Sequence, residues 1–129
     1  MLPHELTEQY RRYIDCLNRQ DWASLSSFVA DDVEYNGERV GLPGYRSMVE
    51  GIYRDIPDLA FHIELLAAEP PQIAARLAFD VTPKAEFLGL PINGKNVKFA
   101  ENVFYTFADG KITRVWSILD KAAIEAQLR

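Results

Sequence analysis

The feature that most constrains this chain is a change of hydrophobic period near Asp58. Before it, apolar residues recur every three or four positions; after it, they alternate. Leu6, Tyr10, Tyr13, Ile14 and Leu17 lie at helical spacing within residues 4 to 18. Asp21 reads as the cap of a second helix with Trp22, Leu25, Phe28 and Val29 on one face, which predicts two antiparallel helices. "DVEYNG" predicts a short strand ended by Asn36-Gly37. "GLPGYRSMVEGIYRDIPD" predicts a third helix, entered at Pro43 or Gly44 and stopped before Pro57, whose ring lacks the amide a helix needs.

Beyond Asp58, "LAFHIELLAAEP" sets Leu59, Phe61, Ile63 and Leu65 against Ala60, His62, Glu64 and Leu66, the pattern of a half-buried strand. "PQIAARLAFDVT" repeats it after a Pro70-Pro71 turn. "KNVKFAENVFYTFADG" and "KITRVWSILD" supply two more long strands, joined at Asp109-Gly110, a strong hairpin signal. The tail from Lys121 can close as a short helix. Helices first and antiparallel strands after them define an α+β class: a curved antiparallel β-sheet wrapped around N-terminal helices, in one domain spanning 1–129 without internal repeats.

Bulk properties narrow the function. Of the 129 residues 48% are hydrophobic and 12% aromatic, enough to bury a core. A net charge of −5, with both signs interspersed, provides no basic stripe for a phosphate backbone, so nucleic acid is not an expected partner. The longest apolar runs are broken by Glu, Pro, Gln or Arg, and no basic segment precedes an apolar block at the start; no membrane partner and a cytoplasmic location are expected. The lone Cys16 cannot form an internal disulfide, and with only His4 and His62 no zinc-ligand spacing exists, so no metal is expected. Cys16 sits in the first helical pattern, where a small buried hydrophobe is the commoner role.

Chemistry concentrates near the end of the chain. Alternation on the last strand groups Ile112, Arg114, Trp116, Ile118 and Asp120 on one face, and Thr113, Val115, Ser117 and Leu119 on the other. If the Trp116 face lines a cavity, Asp120 stands against apolar walls that disfavour its charge, which makes it a candidate acid/base. The competing reading is an N-cap of the closing helix "KAAIEAQL"; Ala123 at the third position denies it a full capping box. In "KFAENVFYTF", Glu101 and Asn102 point to opposite faces. Asn102 is favoured for the pocket, because Glu101 shares parity with Val97, Phe99, Val103, Tyr105 and Phe107, a set that can pack the sheet against something else. Arg76 and Asp80 share a side of the second strand, either as an internal pair or a solvated one. Tyr13, Phe28, Tyr35 and Tyr53, from a larger aromatic set, are candidates to line a pocket for a flat or aromatic ligand.

The stretch "AEFLGLPINGKNVKFAENVFYTFADGKITRVWSILDKAAIEAQL" resembles the C-terminal half of the SnoaL-like polyketide cyclases and ester cyclases, in the nuclear transport factor 2-like superfamily. "FLGLPINGK" is similar to their Phe-x-Gly-x-Pro-x-x-Gly-Lys loop, and "DGKITRVWSILDKAAIEAQL" to their Asp-Gly-Lys-Ile, Trp-x-x-x-Asp and closing Gln-Leu. The resemblance implies a cone-shaped sheet (a cystatin-like barrel) with an internal pocket, and an acid/base at the position of Asp120 for aldol ring closure or isomerisation without a metal or organic cofactor. It implies a small hydrophobic or aromatic ligand, for which Arg76, Asn102 and Trp116, from their places on the strands, join the four aromatics as substrate-binding candidates. It also implies a homodimer through the outer sheet face. One departure stands out: Pro83 occupies the place of the family's supporting histidine, after a retained Thr82. That loss favours a non-catalytic ligand-binding domain as the alternative. Epoxide hydrolysis ranks lower, because Arg76 and Asp80 are four apart and that site needs two. The pocket acid and tyrosine of ketosteroid isomerase are not evident in its pattern.

Overall fold

The computed structural model describes residues 1–129. Its first helix, α1 (Pro3–Asn18), begins where expected: Pro3 occupies a first-turn position that needs no amide, and the Leu2 amide donates to Glu5 Oε1 at 2.8 Å. Leu6, Tyr10, Tyr13, Ile14 and Leu17 face inward, as their spacing predicts, and Cys16 is buried with them. The second predicted helix is replaced by a short 3-10 helix, Trp22–Ser27, capped by Asp21, whose carboxylate accepts from the Ser24 amide. The chain then extends at Val29, which the helical reading had placed on the helix face. A β-branched residue that buries itself opposite Ile112 in a sheet gains more than one further turn of a Ser-rich helix offers.

Strand β1 (Val29–Tyr35) turns at Asn36-Gly37 into the two-residue β2 (Glu38–Arg39). Asn36 and Gly37 have φ of 49° and 86°, the left-handed pair that a tight hairpin demands. Helix α2 (Gly41–Asp55) follows and ends before Pro57. Then come β3 (His62–Glu69), β4 (Gln72–Val81), the small hairpin β5 (Glu86–Phe87) and β6 (Leu90–Pro91), β7 (Val97–Ala108), β8 (Lys111–Leu119) and a closing α3 (Lys121–Gln127). The main sheet runs β2-β1-β8-β7-β4-β3. Its pairs are antiparallel except β1 with β8, which is parallel because the first strand reaches the sheet through helix and loop rather than a hairpin. The Asp109-Gly110 hairpin forms as predicted, with φ of 52° and 76°.

Two bulges set which side chains face the helices. In β3 the pairing with β4 slips between Ile63 and Leu65, so the inward series changes phase and passes to Leu66, leaving Leu65 63% exposed. In β8 the pairing with β7 slips between Phe107 and Thr106, around Thr113, whose hydroxyl donates to the Thr106 carbonyl at 3.1 Å. Ile112 is therefore buried together with Val115, not with Trp116. The helices and the inner face of the sheet share one hydrophobic cluster, in which fully buried Leu25, Ile73, Leu77 and Ile112 each contribute roughly 1.5–3 kcal/mol. No helix is long and apolar enough to cross a membrane.

Candidate active site

Between the helices and the concave side of the sheet the packing leaves a cavity, of which about 90 Å³ is free to the centres of water-sized molecules. Helix α1 contributes Tyr13 and Leu17, α2 contributes Tyr45, Met48, Val49 and Ile52, and the sheet contributes Tyr35, Phe79, Phe99, Glu101, Tyr105, Val115 and Leu119. Phe61 and Phe87 complete the aromatic wall, which continues through Phe79 and Phe99, stacked with ring centroids 5.1 Å apart. Glu101 is the only lining residue that is neither aliphatic nor aromatic.

Strict alternation along β7 brings Glu101 here. Val97, Phe99, Val103, Tyr105 and Phe107 are all buried, and Glu101 shares their face. Its carboxylate accepts a short hydrogen bond from the Ser117 hydroxyl on the adjacent strand. Ser117 is itself held by Asn36: its amide donates to Asn36 Oδ1 at 2.8 Å. Burial raises the Glu101 pKa, and the Ser117 hydrogen bond opposes that shift without cancelling it. Tyr13 and Tyr45 share a hydroxyl–hydroxyl hydrogen bond of 2.5 Å, and the Tyr10 hydroxyl donates to Tyr105 at 3.0 Å. All four phenols are pushed well above their ordinary pKa, first by burial, so they remain protonated. A carboxyl whose proton burial holds more tightly, beside a group of neutral phenols, provides a hydrogen-bonding interior.

The predicted site residues are distributed differently. Tyr13 and Tyr35 line the cavity. Phe28 packs on Tyr13, with centroids 6.4 Å apart, and lies outside the lining. Tyr53 is anchored to the Leu17 carbonyl at 2.8 Å, its pKa pushed up to about 12 by burial, and packs on Trp22 and Phe61 behind the wall. The expectation for Arg76, Asn102 and Trp116 is corrected: all three lie on the outer face. Arg76 donates to Glu64 at 3.2 Å and to Asn102 at 3.1 Å, and Trp116 is 47% exposed. The preference for Asn102 over Glu101 is reversed, because the apolar set sharing Glu101's parity packs toward the helices and the cavity.

Asp120 shares a face with Trp116 as alternation predicts, but that face is the outer one. The bulge at Thr113 puts it on the opposite face from buried Ile112, with which strict alternation had grouped it. The Asp120 amide donates to the Ala100 carbonyl at 2.9 Å, and its side chain caps α3, accepting from the Ala123 amide at 3.1 Å. It borders an outer groove with His62, Glu64, Arg76, Asp80 and Lys98. The cap reading of this residue therefore describes its contacts. Pro83, in place of a histidine, is buried, and its carbonyl accepts from the Gly94 amide at 2.8 Å. The sequence reading missed Glu101, Ser117 and Tyr105 as a site; the signal was the unbroken odd-numbered apolar series on β7.

The same architecture occurs in solved structures. A SnoaL-like polyketide cyclase from Agrobacterium tumefaciens is 52% identical, with a TM-score of 0.95 over 96% of this chain and 98% of that one. IdmH, a candidate polyketide cyclase from Streptomyces antibioticus, is 20% identical with a TM-score of 0.83, covering 97% and 99% of the two chains. AclR, a candidate hydroxylase from Streptomyces galilaeus, is 21% identical with a TM-score of 0.79, covering 98% and 96%. At such identities the last two speak only for the fold. No protein with a curated description matches. Residues 7–128 match the family model described as SnoaL-like polyketide cyclase, and with the helix-backed sheet and its inner cavity this places the chain in the SnoaL-like polyketide cyclase family, within the nuclear transport factor 2-like superfamily.

Proposed function

We propose that this protein performs acid–base chemistry, an aldol cyclisation or an isomerisation, on a small hydrophobic carbonyl compound held in the inner cavity, with Glu101 moving the proton. One observation carries the reading: the only carboxyl of an otherwise aliphatic and aromatic cavity is desolvated, and its pKa is raised toward the range where a group both takes and returns a proton efficiently. In the step itself a C–H bond beside the carbonyl breaks and its proton goes to the Glu101 carboxylate. The electron pair forms the C=C bond of an enolate, and the carbonyl π-pair moves to oxygen. Attack of the enolate carbon on a second carbonyl forms the C–C bond and moves that carbonyl's π-pair to its oxygen, which takes the proton back from Glu101 as the ring closes; in an isomerisation a conjugated enolate takes the proton back at its far carbon.

Asp120 is the rival acid, by family resemblance, and a reaction there would use the outer groove. Proton–deuterium exchange in a panel of enolisable ketones, followed by NMR, separates the two. Glu101→Gln is expected to lose about 10²–10⁴-fold in exchange rate, and Asp120→Asn to stay within a few-fold of the parent. The opposite pattern would move the chemistry to the groove. A second reading, ligand binding without turnover, is favoured by the buried Pro83 and by the absence of either histidine from the cavity wall. It predicts saturable binding and no exchange in any variant.

We also propose a homodimer through the outer sheet face. Leu65, Phe104 and Ile118 there are 63%, 60% and 73% exposed, large apolar side chains on one face of the sheet of the kind that marks an interaction surface. A monomeric mass by light scattering at micromolar concentration would refute it.

A further inference from the structure

The phenols around Glu101 do more than fill space, as a count of their protons indicates. Each tyrosine hydroxyl has one proton to donate. Between Tyr13 and Tyr45 one proton makes the mutual bond and the other is left over; Tyr10 spends its proton on Tyr105, which keeps its own. Neither remaining proton has an acceptor in the protein, and both belong to residues that line the cavity. The rings of Tyr13 and Tyr105 meet edge to face with centroids 6.1 Å apart, so the two donors belong to one cluster.

The rest of the cavity constrains what those donors can meet. No Lys, Arg or His lines it, and its one acid is Glu101. A carboxylate or phosphate entering would be stripped of water with no cation to offset the cost. The volume, about 90 Å³ for centres of water-sized molecules, is below the roughly 150 Å³ of an engineered apolar cavity that holds benzene. A single small ring is therefore the largest occupant the space suits.

We propose that the free hydroxyl protons of Tyr105 and of the Tyr13–Tyr45 pair form an oxygen-binding subsite, and that the cavity takes uncharged, one-ring ketones, enols or phenols. The inference deepens the proposed function, because the same donors would hold the oxygen on which enolate charge develops. It rests on that reading only for its catalytic meaning; the binding preference stands by itself.

The test is calorimetric binding of phenol, 2-cyclohexenone, benzoate, 1-anthrol and toluene to the full chain, to Tyr105→Phe and to the Tyr13→Phe/Tyr45→Phe double variant. Phenol and cyclohexenone are expected to bind, with benzoate and anthrol at least tenfold weaker. Tyr105→Phe and the Tyr13→Phe/Tyr45→Phe double change should each weaken the two oxygen-bearing probes by about two- to tenfold, the worth of one hydrogen bond, and leave toluene unchanged. Equal weakening of toluene and phenol would reduce the tyrosines to a packing role and overturn the proposal; so would benzoate or anthrol binding as tightly as phenol, or no binding of either oxygen-bearing probe. If this pattern holds and no ketone exchanges its protons, the subsite stands and the acid–base reading fails. If Glu101-dependent exchange occurs on a larger or charged compound while phenol does not bind, the acid–base reading stands and the subsite fails.

Discussion

Two acids, one residue out of register with each other, occupy opposite worlds across the same pair of strands. Glu101 on β7 lies opposite Leu119 on β8, and the next residue after Leu119 is Asp120. Glu101 points to the concave side, where aromatic walls raise its pKa and Ser117 is its one hydrogen-bonding neighbour. Asp120 points to the convex side, ends the strand and caps α3 in a groove bordered by His62, Arg76 and Lys98. The side chains differ by one methylene, yet one is enclosed by aromatic rings and the other caps a helix at the surface. Chemical role in this fold follows from the face of the sheet and from desolvation, more than from nearness in sequence to a motif.

The largest expected effect breaks that comparison directly. Replacing Glu101 by Gln should remove at least about a hundredfold of proton-exchange activity, and Asp120→Asn almost none; equal losses would merge the two sites into one. Next in size is stability. Asp120→Ala should cost about 0.5–2 kcal/mol in urea unfolding, the usual worth of an N-cap, whereas Asp120→Asn, whose side-chain oxygen caps as well, should be near neutral. A full loss in both variants would mean the carboxylate charge matters beyond capping.

A smaller effect is the pH dependence of stability. Glu101 binds its proton more tightly folded than unfolded, so stability attributable to it is fully present below the ordinary carboxylate value of 4.5 and declines as pH rises through the raised folded pKa. Glu101→Gln removes this decline, and its unfolding midpoint relative to the parent should climb with pH and then level off. A flat difference would mean that the carboxyl is not desolvated. The subtlest prediction concerns Ser117→Ala. Losing the hydroxyl that favours the carboxylate should raise the Glu101 pKa further and shift the acidic limb of the exchange profile upward, leaving its plateau little changed. A lowered plateau without a shift would give Ser117 a contact with the substrate itself.

Local chemistry made much of the architecture legible. The spacing of Leu6, Tyr10, Tyr13, Ile14 and Leu17 marks α1, and the Asn36-Gly37 and Asp109-Gly110 turns appear with the positive φ their residue types tolerate. The candidate site was half legible. The odd-numbered series on β7 already held Glu101 and Tyr105 on one face; on β8, strict alternation grouped Asp120 with Ile112 and Trp116 on a single face. A one-residue bulge at Thr113 breaks that grouping, and nothing in the composition of "KITRVW" announces it.

From its sequence alone, then, this protein's class, its hairpins and its family are determined, because period, turn residues and motif spacing are local properties of the chain. Which carboxyl is enclosed was decided by tertiary structure alone. A bulge inverts every side chain beyond it at the cost of one unpaired residue, and the packing of helices against one side of a sheet then turns that inversion into a difference between a solvated cap and a desolvated acid.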